Sequence, residues 1–307
     1  MNPAFSVVIF TTIAGAAQGM VVALALALLA GASVSARFVS GALLVAVAML
    51  LIGLGASFAH LGRPKRAWRA VLMWRTSWLS REVIALPAFI GVVALWWLAL
   101  HFGRDTRLLP LAAIVLAALL WYCTAMIYAC LRFVQEWAQP LTLVNFTLIG
   151  LSSGLVLVSA LGALAGEAAL LNATGPGAVL LTLAAWTTRA MALRRNAAIK
   201  HKSTLQSATG IRSAKLVQKS MGMSAGSFNT REFFHGRTPA ALKQVKLAFL
   251  LLCFAVPATL ALWGVMGGGA LPWLLGVLCQ APGLLAERWF FFAQAKHPQN
   301  LYYQVVS

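Results

Sequence analysis

Residues 57–82 read SFAHLGRPKRAWRAVLMWRTSWLSRE. This stretch interrupts two apolar runs with His60, six Arg or Lys and three Trp, and it closes on Glu82. So many cations cannot rest in hydrocarbon, so the stretch reads as a loop between two spans. A histidine ends one span and a carboxylate opens the next, which puts both at one membrane face. Outward from this loop the pattern repeats. Apolar runs of 18 residues or more recur along a chain of 307 residues that is 61% hydrophobic and only 10% charged, with a mean hydropathy of +0.84. Runs of that length cross ~30 Å of hydrocarbon as helices, because backbone groups in lipid must be satisfied within the segment.

The fold class is therefore all-α, a polytopic membrane bundle of about eight transmembrane helices forming one membrane domain over residues 1–307. The spans fall at approximately 5–30, 38–59, 81–101, 108–131, 141–165, 168–190, 244–266 and 270–293. The first run lacks a charged leader and reads as a retained span, not a cleaved signal peptide. Steps of small residues recur at Gly15/Gly19, Gly150/Gly154, Gly162/Gly166 and Gly264/Gly268, the spacing that lets helices approach closely in lipid.

Charge decides orientation. The chain holds 24 Lys+Arg against 6 Asp+Glu, a net +18. With eight spans, the loops 60–80, 132–140 and 191–243 share one side with both termini. That side holds 21 of the 24 basic residues, leaving Arg37, Arg104 and Arg107 opposite. The excess predicts cytoplasmic N- and C-termini, and the expected location is a bacterial inner membrane. It also predicts affinity for anionic lipid. No basic motif interleaved with aromatics points to nucleic acid. The 191–243 loop reads as a long cytoplasmic segment. Its aromatics Phe228, Phe233 and Phe234 make it either a solvated connector or a docking surface for a partner subunit.

His60 and Glu82 are the candidates for chemistry. Imidazole exchanges protons near neutrality, and an ionisable group at membrane depth points to function. Ser80 reads as the N-cap of the third span, with Glu82 in its first turn, where the helix dipole favours a carboxylate. Pro87 follows within the same span. Together the pair can hydrogen-bond the two oxygens of a quinone and exchange its protons. Trp68, Trp74 and Trp78 suit either an interfacial belt or the walls of a quinone ring. Gln18, Asn145 and Arg132 are weaker cavity candidates, each more often an interhelical bond or an anchor. The histidines His60, His101, His201, His235 and His297 all avoid mid-span, so no haem is expected. Cys123, Cys130, Cys253 and Cys279 form no CxxC, so no iron–sulfur cluster and no metal site are expected in this chain. No motif marks a catalytic residue of its own, and little intramembrane charge is expected.

HLGRPKRAW…WRTSWLSRE and the closing LLAERWFFFAQAKHPQNLYY resemble the membrane-anchor subunit family of dimethyl sulfoxide reductase, along essentially the whole chain. The resemblance implies a non-catalytic anchor for a molybdopterin catalytic subunit and a four-cluster iron–sulfur subunit. It further implies exchange of electrons with menaquinone or ubiquinone, in anaerobic respiration or sulfite oxidation. The family's quinol-site histidine corresponds to His60, its adjacent glycine to Gly62 and its functional glutamate to Glu82. Trp78, Arg63 and Arg81 are secondary contacts, and Arg63, Arg66, Arg69 and Arg81 are expected to hold the docked iron–sulfur subunit. The SFNTREFFHG loop is more similar to the sulfite dehydrogenase branch. A transporter without redox partner and a purely structural anchor are the alternatives.

Overall fold

A computed structural model describes residues 1–59, 61, 63–104, 107–220 and 232–303, and among these there is helix but no strand. The membrane bundle begins with α1 (Phe5–Leu29), α2 (Ala36–Phe58), α3 (Trp78–His101) and α4 (Leu108–Ala129). It continues with α5 (Pro140–Ala165) and α6 (Ala168–Ala197). After a short helix, α7 (Leu205–Thr209), come α8 (Pro239–Val265) and α9 (Leu271–Ala293). Seven of these are long and apolar enough to cross a membrane. The eighth, α9, has 23 residues, about 34 Å of helix. Its run is less apolar because it carries Gln280, Glu287 and Arg288, and all three are buried, so the polarity faces the bundle rather than lipid.

Three boundaries differ from the sequence expectation. Helix α3 starts at Trp78, three residues early, because Ser77 and not Ser80 caps it: Ser77 Oγ accepts from the Ser80 amide at 3.4 Å. Ser80 is buried inside the helix, and Glu82 is its fifth residue. Helix α6 runs on to Ala197 and ends in Arg194 and Arg195, cations that complement the negative end of the helix dipole. Helix α8 begins at Pro239, with Thr238 Oγ1 accepting from the Ala241 amide at 3.2 Å. Proline at the first helical position gives up an amide that had no partner anyway. The two helices therefore take up both ends of the stretch allotted to the long connector.

Helices α1 and α5 form the centre. They meet backbone on backbone. A methyl at Gly19 would stand 1.9 Å from the Gly150 carbonyl oxygen, and one at Gly154 would stand 2.0 Å from the Gly19 carbonyl carbon. Two of the four glycine steps are thus the two halves of a single crossing. Around this pair, α2 and α4 pack on α1, α3 packs on α2 and α4, and α6 packs on α5. Helix α8 lies between α6 and α9, and α9 returns to touch α1 and α5. A π-helical turn at Leu250–Ala255 interrupts α8 where Gly283 of α9 comes against it. There Gln280 Nε2 donates to the Cys253 carbonyl at 3.2 Å, using a backbone acceptor within the π turn.

The path of the chain puts the N-terminus, the described residues of the segments 63–77, 130–139, 198–220 and 232–238, and the closing residues 294–303 at one end of the bundle, the basic face. At the other end Glu167 accepts from the Ser35 amide at 3.3 Å and from the Ser35 hydroxyl, tying the α1–α2 turn to the α5–α6 turn.

Candidate functional site

The first two turns of α3 organise the basic face. A ten-residue 3₁₀ helix, Pro64–Met73, precedes it. That segment carries exposed Trp68, Leu72, Met73 and Trp74 beside exposed Arg63, Lys65, Arg66 and Arg69. Apolar and cationic side chains both exposed suit an interfacial position. Arg81 fastens the segment to α3: Nε donates to the Trp74 carbonyl at 2.9 Å and Nη2 to the Arg75 carbonyl at 2.8 Å. Its guanidinium lies 4.0 Å from the Trp78 ring centroid, and Trp78 meets Tyr122 of α4 edge to face at 5.2 Å.

Glu82 turns the other way, into the bundle, and is 6% exposed. Its carboxylate Oε1 accepts from the Thr124 hydroxyl of α4. No ion pair reaches it among the described residues. His60 and Gly62 lie outside the described residues. The end of α2 at Phe58 leads to them from a helix that packs on α3.

A second group of charges, overlooked by the expectation of little intramembrane charge, lies at a similar depth across the bundle. Arg189 Nε of α6 approaches Glu287 Oε1 of α9 to 2.7 Å, and Arg288 Nη1 lies 3.4 Å from Glu287 Oε2. All three are at least 96% buried, and Arg288 stacks on Phe146 of α5 at 3.8 Å. The 2.7 Å approach is an ion pair off the N–H direction, because Arg189 Nε has no aligned hydrogen bond. The signal was legible in part: AERW sits inside an apolar run. Its partner lies on another helix, which sequence spacing does not reveal.

The weaker candidates separate. Asn145 Oδ1 accepts from the Thr188 hydroxyl at 2.8 Å, an ordinary bond between α5 and α6. Arg132 is exposed in the α4–α5 loop. Gln18 is buried in α1 and lines a small cavity.

At the basic face itself lies a cleft of about 820 Å³ that sequence reading did not find. Its lining includes Lys202, Arg237, Lys296, His201, His235 and His297, with no Asp or Glu among the described residues. The aromatics of the connector serve its wall. Phe233 stacks on His297 at 4.1 Å, Phe234 meets Tyr303 edge to face, and Asn300 Nδ2 donates to the Phe233 carbonyl at 3.2 Å. They bind this chain's own closing segment, while Phe228 lies outside the described residues. His235 and His297 are held below the ordinary imidazole range, chiefly by burial and next by the Met1 ammonium, with Arg237 adding to the effect at His235. Their bonds agree with a neutral ring: His235 Nδ1 accepts from the Arg237 amide at 3.0 Å and His297 Nδ1 from the Gln299 amide at 3.2 Å. Beside the cleft, His201 Nε2 lies 3.6 Å from the buried carboxylate of Glu136.

Among known families, the model for the DMSO reductase anchor subunit (DmsC) matches residues 1–263. A sulfite dehydrogenase subunit of Allochromatium vinosum is 46% identical over 328 aligned positions, covering 100% of both chains. The anaerobic dimethyl sulfoxide reductase chain YnfH of Escherichia coli K12 is 32% identical over 118 residues, 36% of this chain and 41% of that one.

Proposed function

This chain belongs to the DMSO reductase anchor subunit family, and from that premise we propose that it holds a molybdopterin catalytic subunit and a four-cluster iron–sulfur subunit at the bacterial inner membrane and links them to the quinone pool. The basic face is cytoplasmic in this reading. A full-length relative named as part of a sulfite dehydrogenase favours sulfite oxidation, with electrons passing from the partner's clusters toward quinone.

One observation carries the site: Glu82 is a buried carboxylate close to the basic face that is bonded to a hydroxyl and, among the described residues, paired with no cation. Five residues into α3, it stands about 6 Å below the start of the helix. That depth is within reach of both water and the membrane interior. The residues present fit a quinone head group. Glu82 offers a proton-exchanging oxygen, and Trp78, one helical turn before it on α3, meets Tyr122 edge to face to give flat apolar surface at the start of the helix. When bound, the quinone supplies two-electron, two-proton chemistry that no side chain has.

His60 would hold one quinone oxygen by a hydrogen bond and exchange a proton with it, with Gly62 two residues on in the matched stretch. Glu82 relays the second proton. Arg81 holds the 64–77 segment over the site through its two carbonyl bonds. Arg63, Arg66 and Arg69 face outward and meet the iron–sulfur subunit. The acid-free cleft of about 820 Å³ extends that surface, and its charge suits an acidic partner.

The test is binding of a quinol analogue to membranes carrying the whole complex, with Glu82→Gln and His60→Ala beside the parent. Each variant should lose analogue binding and about a hundredfold of quinone-coupled turnover, while the partner subunits stay attached. Undiminished binding in both variants would leave a structural anchor only.

A further inference from the structure

Between α1, α4, α5 and α9 lies a cavity of about 10 Å³, the space of one water molecule. Gln18, Trp121, Thr124 and Arg288 all line it. Two of these present polar atoms with nothing to bond: Gln18 Oε1 and Trp121 Nε1 have no hydrogen-bond partner among the described residues. Their side chains are 3% and 4% exposed. An acceptor and a donor left bare in a protein interior are each destabilising, and a water needs two to four such partners to bind.

The position of the cavity gives it a role. Thr124 lines it while donating to Glu82, and Arg288 lines it while pairing with Glu287. The geometry points to a single bound water that accepts from Trp121 Nε1 and the Arg288 guanidinium and donates to Gln18 Oε1 and Thr124 Oγ1. This water joins the Glu82–Thr124 pair to the Arg189–Glu287–Arg288 cluster. With its oxygen accepting from the water, the Thr124 hydroxyl keeps its own proton directed at Glu82. Gln18 and Trp121 are then positioning residues that act on Glu82 through the water and Thr124. The water site stands on the cavity alone, and only its bearing on turnover rests on the quinone reading above.

Vibrational difference spectra of the whole complex in ordinary and oxygen-18 water test this. The parent should show an isotope-sensitive stretch of one strongly bonded internal water. Gln18→Leu removes the acceptor, and Trp121→Phe keeps an aromatic ring while removing the donor. Both should lose that band. Both should also shift the carbonyl band that vanishes in Glu82→Gln, and turnover should fall about fivefold, as for one lost hydrogen bond. No isotope-sensitive band in the parent, or an unchanged band in both variants, overturns the proposal. If the bands behave as expected but Glu82→Gln keeps full turnover, the water site stands and the quinone role of Glu82 is what fails.

Discussion

Glu82 and Glu287 are both carboxylates buried in spans, and they are partnered in opposite ways. Glu287 sits between two guanidiniums, so its charge is committed to holding α6 and α9 together. Glu82 faces one hydroxyl and stays available to something outside the fold. Burial alone therefore does not mark a functional acid in a membrane bundle, and the partner does. Glu287→Gln breaks the comparison at its strongest point, because it leaves two buried cations uncompensated. Losing one member of such a pair costs about 3–5 kcal/mol. The variant should fail to accumulate, or melt well below the parent in detergent. A Glu287→Gln protein as stable as the parent would mean the cluster is hydrated rather than sealed.

The α1–α5 crossing comes next, since it fixes the floor beneath both groups. Gly154→Ala puts a methyl 2.0 Å from the Gly19 carbonyl carbon, and only a backbone shift relieves that. Overpacking of this kind costs about 1–3 kcal/mol. A lower melting temperature with the full assembly still formed is the expected outcome. The same change at Gly41, which meets nothing within 4 Å, should be silent. Glu82→Gln sharpens the comparison further. The amide keeps an oxygen for Thr124, so stability should move by less than about 1 kcal/mol, while quinone-coupled turnover collapses. Equal losses of stability at Glu82 and Glu287 would erase the distinction between them.

The spans were legible in the sequence because hydrocarbon demands long apolar runs, and this demand overrides most local signals. The side on which each loop lies follows from the count. Capping was less legible: Ser77 and Ser80 both offer a hydroxyl before an apolar run, and with Ser77 as the cap Ser80 falls inside the first turn of α3. The glycine steps were visible, but which of them meet depends on how helices from distant parts of the chain cross. The same limit hid the Arg189–Glu287 pair and the basic cleft, whose walls come from the α4–α5 loop, the connector and the closing segment. His60 and Gly62, named from sequence, lie outside the described residues, so the glutamate half of the expected pair carries the structural argument.

The smallest effect belongs to the cleft, whose two shifted histidines lie outside the spans. His235 and His297 are held below the ordinary imidazole range, and each uses Nδ1 as an acceptor. A detached closing segment takes up protons near the ordinary value of about 6.5, whereas the docked segment resists them. The detached state thus binds more protons as the pH falls below about 6.5, so docking weakens on acidification and is unaffected above that range. Protonation also turns each Nδ1 into a donor facing an amide that is itself a donor. Tryptic cleavage after the exposed Lys296, measured against an unfolded reference at each pH, should therefore speed up in acid. His297→Phe keeps a ring against Phe233 but cannot titrate, so it should lose much of that acceleration. A His297→Phe variant that kept the full acceleration would mean that this ring does not govern the docking of the closing segment.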